Sequence, residues 1–486
     1  MTERKWSKYQ TAIFDWVTNT NDASGNLMVE AVAGSGKTTT GVEAFKLLPE
    51  NCVSIFVAFN KHIQLELQQR LPQTAIAMTY HALGFKAIRD AFGKVAVDGY
   101  KNDTILKSRI GKNLQYLFGS IKQITSLFKS NNEEFDYEIM KDTISYYGID
   151  IGDDDEKNLP IIAKEVEYLL RPDHIEDKII DFDDMTWLPI KLKLPCPKYD
   201  FIFVDEVQDT NKVQMELALM HVNGYSRIAA CGDKFQSIYG WRGADVNSIS
   251  NLTNKLQADI LPLSITYRNP TKVIDLVKSK YPHILIEPRE NAPEGIVEDI
   301  SYDKALPKMV SGDMILCRLN APLVQPCMQL ISQGRKAIIK GKDIGKNLVV
   351  LIKKIQKLRN PYNIYEFMSD LKDFTEIETQ KLYMAEKFTQ ATILQDKCDT
   401  IIALAEGSNS VYDLIYKTEM IFNDETEGIT FSTVHKAKGL EAESIYILRP
   451  DLIPFSRAKL PWQVQQEANI EYVAYTRSLN NLFFIR

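Results

Sequence analysis

The residues Ala31-Val-Ala-Gly-Ser-Gly-Lys-Thr38 have the composition of a loop that closes on phosphate. In such a loop, glycines let backbone N–H groups approach anionic oxygens, and a following helix adds the partial positive charge of its N-terminus. Ala33, Gly34, Ser35 and Gly36 would form the cradle. Lys37 would reach the β- and γ-phosphates of a nucleoside triphosphate, and the Thr38 hydroxyl would hold Mg²⁺. The first position is Ala where the strict pattern has Gly; a glycine-rich turn after a strand is the plain alternative. A triphosphate site also needs an acidic residue at the end of a neighbouring strand. Tyr199-Asp-Phe-Ile-Phe-Val-Asp-Glu206 supplies it: an apolar run, then Asp205 for the metal ion and Glu206 to polarise a water. Two exposed carboxylates closing an ordinary strand are the alternative there.

These groups need strands to carry them. Short apolar runs at Leu27–Ala33, Val53–Phe59, Phe201–Val204, Arg227–Cys231, Met314–Cys317, Ile429–Ser432, Ser444–Leu448 and Leu482–Ile485 read as buried parallel strands. The first three precede polar, helix-like stretches, the rhythm of βαβ units and an α/β fold. Residues 85–181 and 346–427 break that rhythm with helical patterning, so each reads as an insertion into an α/β core. The expected division is a first core of residues 1–84 and 182–262, and a second of 263–345 and 428–486. The acidic run at 153–156 reads as a solvated loop.

The chain has 486 residues, 45% hydrophobic and 25% charged, the proportions of a globular protein large enough for several cores. No apolar run of about 18 residues predicts a membrane span, and the charged N-terminus lacks a signal-peptide pattern. Six scattered cysteines form no C-x-x-C pair, which argues against zinc and for reduced thiols in the cytoplasm. The net charge of −6 speaks weakly against a nucleic-acid partner. Net charge is a far-field quantity, however, and a local basic track can still hold phosphates.

The remaining motifs decide the class of nucleotide enzyme. Asp205-Glu-Val-Gln-Asp-Thr210, Gly232-Asp-Lys-Phe-Gln-Ser-Ile-Tyr-Gly-Trp-Arg-Gly-Ala-Asp245, Leu263-Ser-Ile-Thr-Tyr-Arg268, Thr433-Val-His-Lys-Ala-Lys-Gly-Leu-Glu441 and Glu471-Tyr-Val-Ala-Tyr-Thr-Arg477 follow one another in order. Together with Gln10, Phe59-Asn-Lys61, Thr79-Tyr-His-Ala-Leu-Gly84 and Asp181-Phe-Asp-Asp184, they resemble the UvrD/Rep family of superfamily 1 helicases, including its phage-type and F-box-type members. The collinear match covers nearly the whole chain and is more specific than any one motif.

The resemblance implies two RecA-like P-loop domains, ATP and Mg²⁺ as cofactors, and single-stranded DNA or a duplex–single-strand junction as partner. It implies 3′-to-5′ movement, with one core and then the other gripping the strand. It makes Arg268 and Arg477 arginine fingers and Gln236 a γ-phosphate sensor. It places Gln10, Thr39, Tyr267 and Glu441 around the adenosine. Phe59, Asn60, Lys61, Tyr239, Trp241 and Arg242 combine aromatics with polar or basic groups, the composition that stacks bases and holds phosphates. Thr79, His81, Thr433 and His435 would lie along the phosphate track. A structural histidine at 81 and a core tryptophan at 241 are the competing readings; for Asp181, Asp183 and Asp184, a hydrogen-bonding role competes with a nuclease-like metal site.

The chain departs from the family pattern in places. Thr39 stands where many members have Arg, and Ala468 and Asn469 stand where an Arg pair is usual. The second insertion is short, and the sequence ends at Arg486, soon after Arg477. Translocation is therefore better supported than unaided unwinding, and a DNA-stimulated ATPase subunit of a replication or recombination complex is the runner-up. The protein is expected to be a monomer when free. A helicase–nuclease fusion, a scaffold with a dead ATP site and an RNA helicase complete the alternatives; nothing in the residues reads a 2′-hydroxyl.

Overall fold

The computed structural model describes residues 5–19, 25–147, 149, 151–152, 155–240, 247–359, 363–384, 388–424, 427–456, 458 and 460–486. Trp241, Arg242 and Asp245 lie outside the described residues, as does part of the acidic run at 153–156. The chain divides into two compact units, Met1–Ser264 and Ile265–Arg486.

The first unit is built on a six-stranded parallel sheet in the order Ala75–Thr79, Ser54–Ala58, Phe201–Val204, Arg227–Gly232, Leu27–Ala31, Asp259–Leu263. Its central strands are apolar on both faces because helices cover both. One face packs Phe45, Phe56, Phe201 and Phe203 together, and the other gathers Ile55, Val57, Ile202, Val204 and Ile228. Leu27–Ala31 leads into the phosphate loop and the helix Lys37–Lys46. Phe201–Val204 carries Asp205 and Glu206, but it is not the neighbour of Leu27–Ala31: Arg227–Gly232 lies between them.

The insertion of this unit is helical, with Lys101–Arg109, Phe118–Asn131, Tyr137–Tyr147 and Asp155–Leu169 around a core of their own. Its ends are closed by the short parallel pair Ala96–Val97 and Ile179–Ile180. A buried ion cluster ties it to the sheet domain. Asp181 and Asp184 form a capping box on the helix Phe182–Lys191. Lys129 of the insertion donates to Asp184 at 2.7 Å and Asp181 at 3.2 Å, and Lys101 donates to Asp184 at 2.6 Å. Burial alone would raise the Asp184 pKa, but Lys129 and Lys101 outweigh it and hold the carboxyl ionised. These acids therefore serve the fold. Among the described residues no cluster of His, Cys, Asp or Glu is arranged to hold a metal ion.

The second unit contains a seven-stranded parallel sheet, in the order Ile296–Ile300, Ser478–Ile485, Ala442–Leu448, Met314–Cys317, Ile429–Thr433, Ala337–Lys340, Phe422–Asn423. Among the described residues its insertion comprises the helices Lys342–Arg359, Ile364–Met384, Phe388–Ala405 and Val411–Ile421. Both units thus have the parallel α/β architecture expected of RecA-like domains. Among the described residues no helix is long and apolar enough to cross a membrane, and the six cysteines are unpaired thiols.

Candidate nucleotide site and nucleic-acid interface

The phosphate loop owes its shape to two glycines in the left-handed region, Gly34 at φ 69° and Gly36 at φ 79°. Side chains there are strained, so glycine is the fitting residue. Gly36 then opens the helix Lys37–Lys46 without a side-chain cap, leaving its first N–H groups to a ligand. Ser35 Oγ is buried and has no hydrogen-bond partner among the described residues. An anion at this loop would satisfy it.

The side chains expected to do chemistry meet here. Lys37 Nζ lies 3.1 Å from Glu206 Oε2, and Thr38 Oγ1 donates to Asp205 Oδ2 at 2.9 Å. Burial by itself lowers the Lys37 pKa, but Glu206, Asp233 and Asp205 outweigh it and keep the ammonium charged. Burial and the neighbouring Glu206 push Asp205 up to about 6. A divalent cation beside Thr38 and Asp205 would favour the carboxylate, so this hydroxyl–carboxylate pair fits Mg²⁺. Glu206 adopts φ 53°, a rare conformation for a non-glycine residue and one that clusters at functional sites.

Gln10 is buried beside the loop. Its capping box with Ser7 fixes the side chain, whose Nε2 donates to Thr40 Oγ1 at 3.1 Å. Thr39 follows Thr38 on the helix, and the guanidinium of Arg70 reaches its hydroxyl at 3.4 Å. Arg70 was missed by motif reading because it lies 31 residues away in sequence. It brings a guanidinium to the position where the family pattern has Arg in place of Thr39. Gln236 is buried and donates to Asp233 Oδ2 at 2.7 Å.

The same unit contains a cavity of about 600 Å³ lined by Phe59, His81, Asp183 and Tyr239, among others. Gln123 and Ser126 also line it; they come from the insertion helix Phe118–Asn131, which the motifs do not reach. Two aromatic rings with amide, hydroxyl and imidazole groups suit an unpaired base, which offers a π-face and a polar edge. Burial lowers the His81 pKa, opposed by Asp183, which leaves a neutral ring able both to donate and to accept. Asn60 and Thr79 cap helices, accepting from Ile63 N at 2.9 Å and Ala82 N at 3.2 Å. Lys61 stays exposed and donates to Gln64.

In the second unit Arg268, Glu441 and Arg477 are brought together. Arg268 Nε lies 2.5 Å from Glu441 Oε2, and another guanidinium nitrogen donates to Thr476 O at 3.1 Å. Arg477 is 1% exposed and donates to Val473 O at 3.1 Å and Leu440 O at 3.3 Å. Tyr267 is exposed. Thr433 ends its strand and is buried, and His435 sits in the turn just after it. Lys436 of that turn is held by both carboxylate oxygens of Asp343 at 2.7 Å.

The chain is similar to known helicases. Residues 16–257 match the model of the UvrD/REP helicase N-terminal domain. The chain is 25% identical to F-box DNA helicase protein 1 of Schizosaccharomyces pombe, in an alignment covering 94% of this chain and 55% of that protein. It is 24% identical to the ATP-dependent DNA helicase PcrA of Staphylococcus epidermidis over 56% of this chain and 39% of the relative. Against PcrA of Staphylococcus aureus the identity is 21%, over 94% and 81%. The chain thus spans about half the length of the first of these relatives.

Proposed function

The chain belongs to the UvrD/Rep-like superfamily 1 helicases, and from that premise we propose that it is a DNA helicase motor that couples ATP hydrolysis to 3′-to-5′ movement along single-stranded DNA. The observation that carries the proposal is the content of the first unit. It combines a phosphate loop, with its lysine and carboxylate pair in contact, and a cavity walled by Phe59 and Tyr239. The peptide from Gln236 to Tyr239 runs from the expected phosphate sensor to that cavity. A nucleotide-driven shift of Gln236 would therefore move a base-gripping ring.

In this reading the loop from Ala33 to Thr38 binds the phosphates, and Gln10 and Thr39 orient the nucleotide. Thr38 and Asp205 would hold Mg²⁺, which supplies charge neutralisation on the phosphates. Glu206 takes the proton of the attacking water. Arg268 and Arg477 stabilise charge on the γ-phosphate, and Tyr267 and Glu441 complete the adenosine contacts. Phe59, Tyr239 and Trp241 stack bases; Asn60, Lys61, Thr79, His81, Arg242, Thr433 and His435 follow the sugar–phosphate backbone. The direction of travel is carried over from the family. The working partner is single-stranded DNA or its junction with duplex, met by the protein in the compartment that holds DNA.

Steady-state ATP hydrolysis by the purified protein, measured alone, with a single-stranded DNA oligonucleotide and with the RNA of the same sequence, tests the substrate class. DNA should raise kcat at least tenfold over the unstimulated rate, on the order of one well-placed transition-state contact, and RNA should raise it far less. Equal stimulation by RNA would replace the DNA motor with an RNA motor.

A further inference from the structure

Between the phosphate loop and the cavity lies a buried amide with no role in the reading above. Gln208 follows Glu206 by two residues, in the short turn Val207–Asp209, and is 1% exposed. Its Nε2 donates to Glu206 Oε2. Its Oε1 accepts from the backbone N–H of Asp233 at 3.0 Å, and its own carbonyl accepts from Ser237 Oγ at 3.2 Å. Asp233 in turn holds Phe235 N at 3.0 Å and Gln236 Nε2 at 2.7 Å. One side chain therefore touches the carboxylate of the hydrolytic centre and the start of the segment that ends at Tyr239 in the cavity wall.

The chemistry of the position is selective. The group must donate to a carboxylate on one side and accept from a backbone N–H on the other, and a neutral primary amide does this. A bond from it to an ionised carboxylate is of the stronger, charge-assisted kind. The partner strand is shaped to admit it: a Cβ on Gly232 would lie 2.7 Å from Gln208 Oε1. When a γ-phosphate draws Lys37 away from Glu206, the bond to Gln208 still constrains the carboxylate.

We infer that Gln208 is the positioning residue that couples Glu206 to the loop bearing Gln236 and Tyr239, so that a base in the cavity sets the carboxylate for hydrolysis. This inference rests on the proposed DNA-stimulated ATPase.

The test is the ratio of DNA-stimulated to unstimulated kcat in two variants. Gln208→Met keeps the volume and removes both polar contacts. Gly232→Ala leaves Gln208 in place and pushes its flexible amide off Asp233 N. Gln208→Met, which loses the charge-assisted bond to Glu206, should lower the ratio about tenfold to a hundredfold, and Gly232→Ala, which loses the neutral bond from Asp233 N, about twofold to tenfold. Binding of a fluorescent single-stranded oligonucleotide without nucleotide checks that each variant is folded. In a Gln208→Met background, Tyr239→Ala should cause little further loss of stimulation. Stimulated and unstimulated rates that fall in equal proportion, or a ratio that stays at the wild-type value, would overturn the coupling role. A wild-type rate indifferent to DNA would instead overturn the functional reading on which it rests.

Discussion

Glu206→Gln should bind ATP as tightly as the wild type and hardly hydrolyse it. The two carboxylates at the end of Phe201–Val204 differ in what surrounds them. Asp205 is buried against Thr38, whereas the Glu206 side chain is 24% exposed and faces Lys37. Of the two, Glu206 is the group that an attacking water can reach. Glutamine preserves its size and can still accept from Lys37, but it cannot take a proton. General-base catalysis contributes about 10²–10⁴ in rate, so kcat should fall by that factor with the nucleotide Kd little changed. Lys37→Ala should have the opposite signature. It leaves Glu206, Asp205 and Asp233 facing the phosphates without their cation, so nucleotide affinity is lost first. Phosphate release and fluorescent-nucleotide titration separate the two effects. Near-normal turnover in Glu206→Gln would assign the proton to another group.

The largest loss should follow removal of a finger. An arginine that neutralises charge on a transferring phosphoryl group is worth about 10³–10⁵ in rate. Arg268→Ala should show that loss in kcat at nearly constant ATP affinity and unchanged melting temperature. Its guanidinium is anchored mainly by Glu441, whose side chain is half exposed, and by one backbone carbonyl. Arg477→Ala is a different experiment. That side chain is buried and donates to two backbone carbonyls, one of which, Val473 O, also accepts from Thr476 Oγ1 at 3.3 Å, so its loss removes two hydrogen bonds, at about 0.5–1.5 kcal/mol each. A lowered melting temperature should accompany the lost turnover, and kcat must be normalised to the folded fraction. A wild-type kcat in Arg268→Ala with DNA present would show that this guanidinium does not reach the γ-phosphate.

The groups at the triphosphate end of the site were legible in the sequence because their chemistry demands contiguous residues. A loop of glycines ending in Lys37-Thr38, and an apolar strand ending in Asp205-Glu206, are local patterns. Contacts between distant segments were not legible. Arg70 on Thr39 and the Gln208 bond to Asp233 join residues 31 and 25 positions apart, and no spacing rule encodes them. The cavity contribution of Gln123 and Ser126 was hidden for the same reason: the insertion is patterned only as amphipathic helix.

The strands divide similarly. Central strands such as Phe201–Val204 and Met314–Cys317 are apolar runs and were found, although the short Ala337–Lys340, also interior to its sheet, was not. Ala75–Thr79 and Asp259–Leu263 were not, because they form the two edges of their sheet. The first is alanine-rich and half-buried, and the second contains Pro262, which an edge tolerates. Ile296–Ile300, with Glu298 and Asp299, is an edge strand of the second sheet and escaped for the same reason. The acids at 181 and 184 carried both a metal reading and a structural one; the lysines that decide between them come from the insertion, 83 and 55 residues from Asp184.

Displacement of streptavidin from a biotinylated single-stranded oligonucleotide measures movement along the strand. ATP-dependent release is expected from the 5′ end, much faster than from the 3′ end, and abolished by Glu206→Gln. ATP hydrolysis stimulated by the same oligonucleotide, with no release from either end, would contradict movement along the strand.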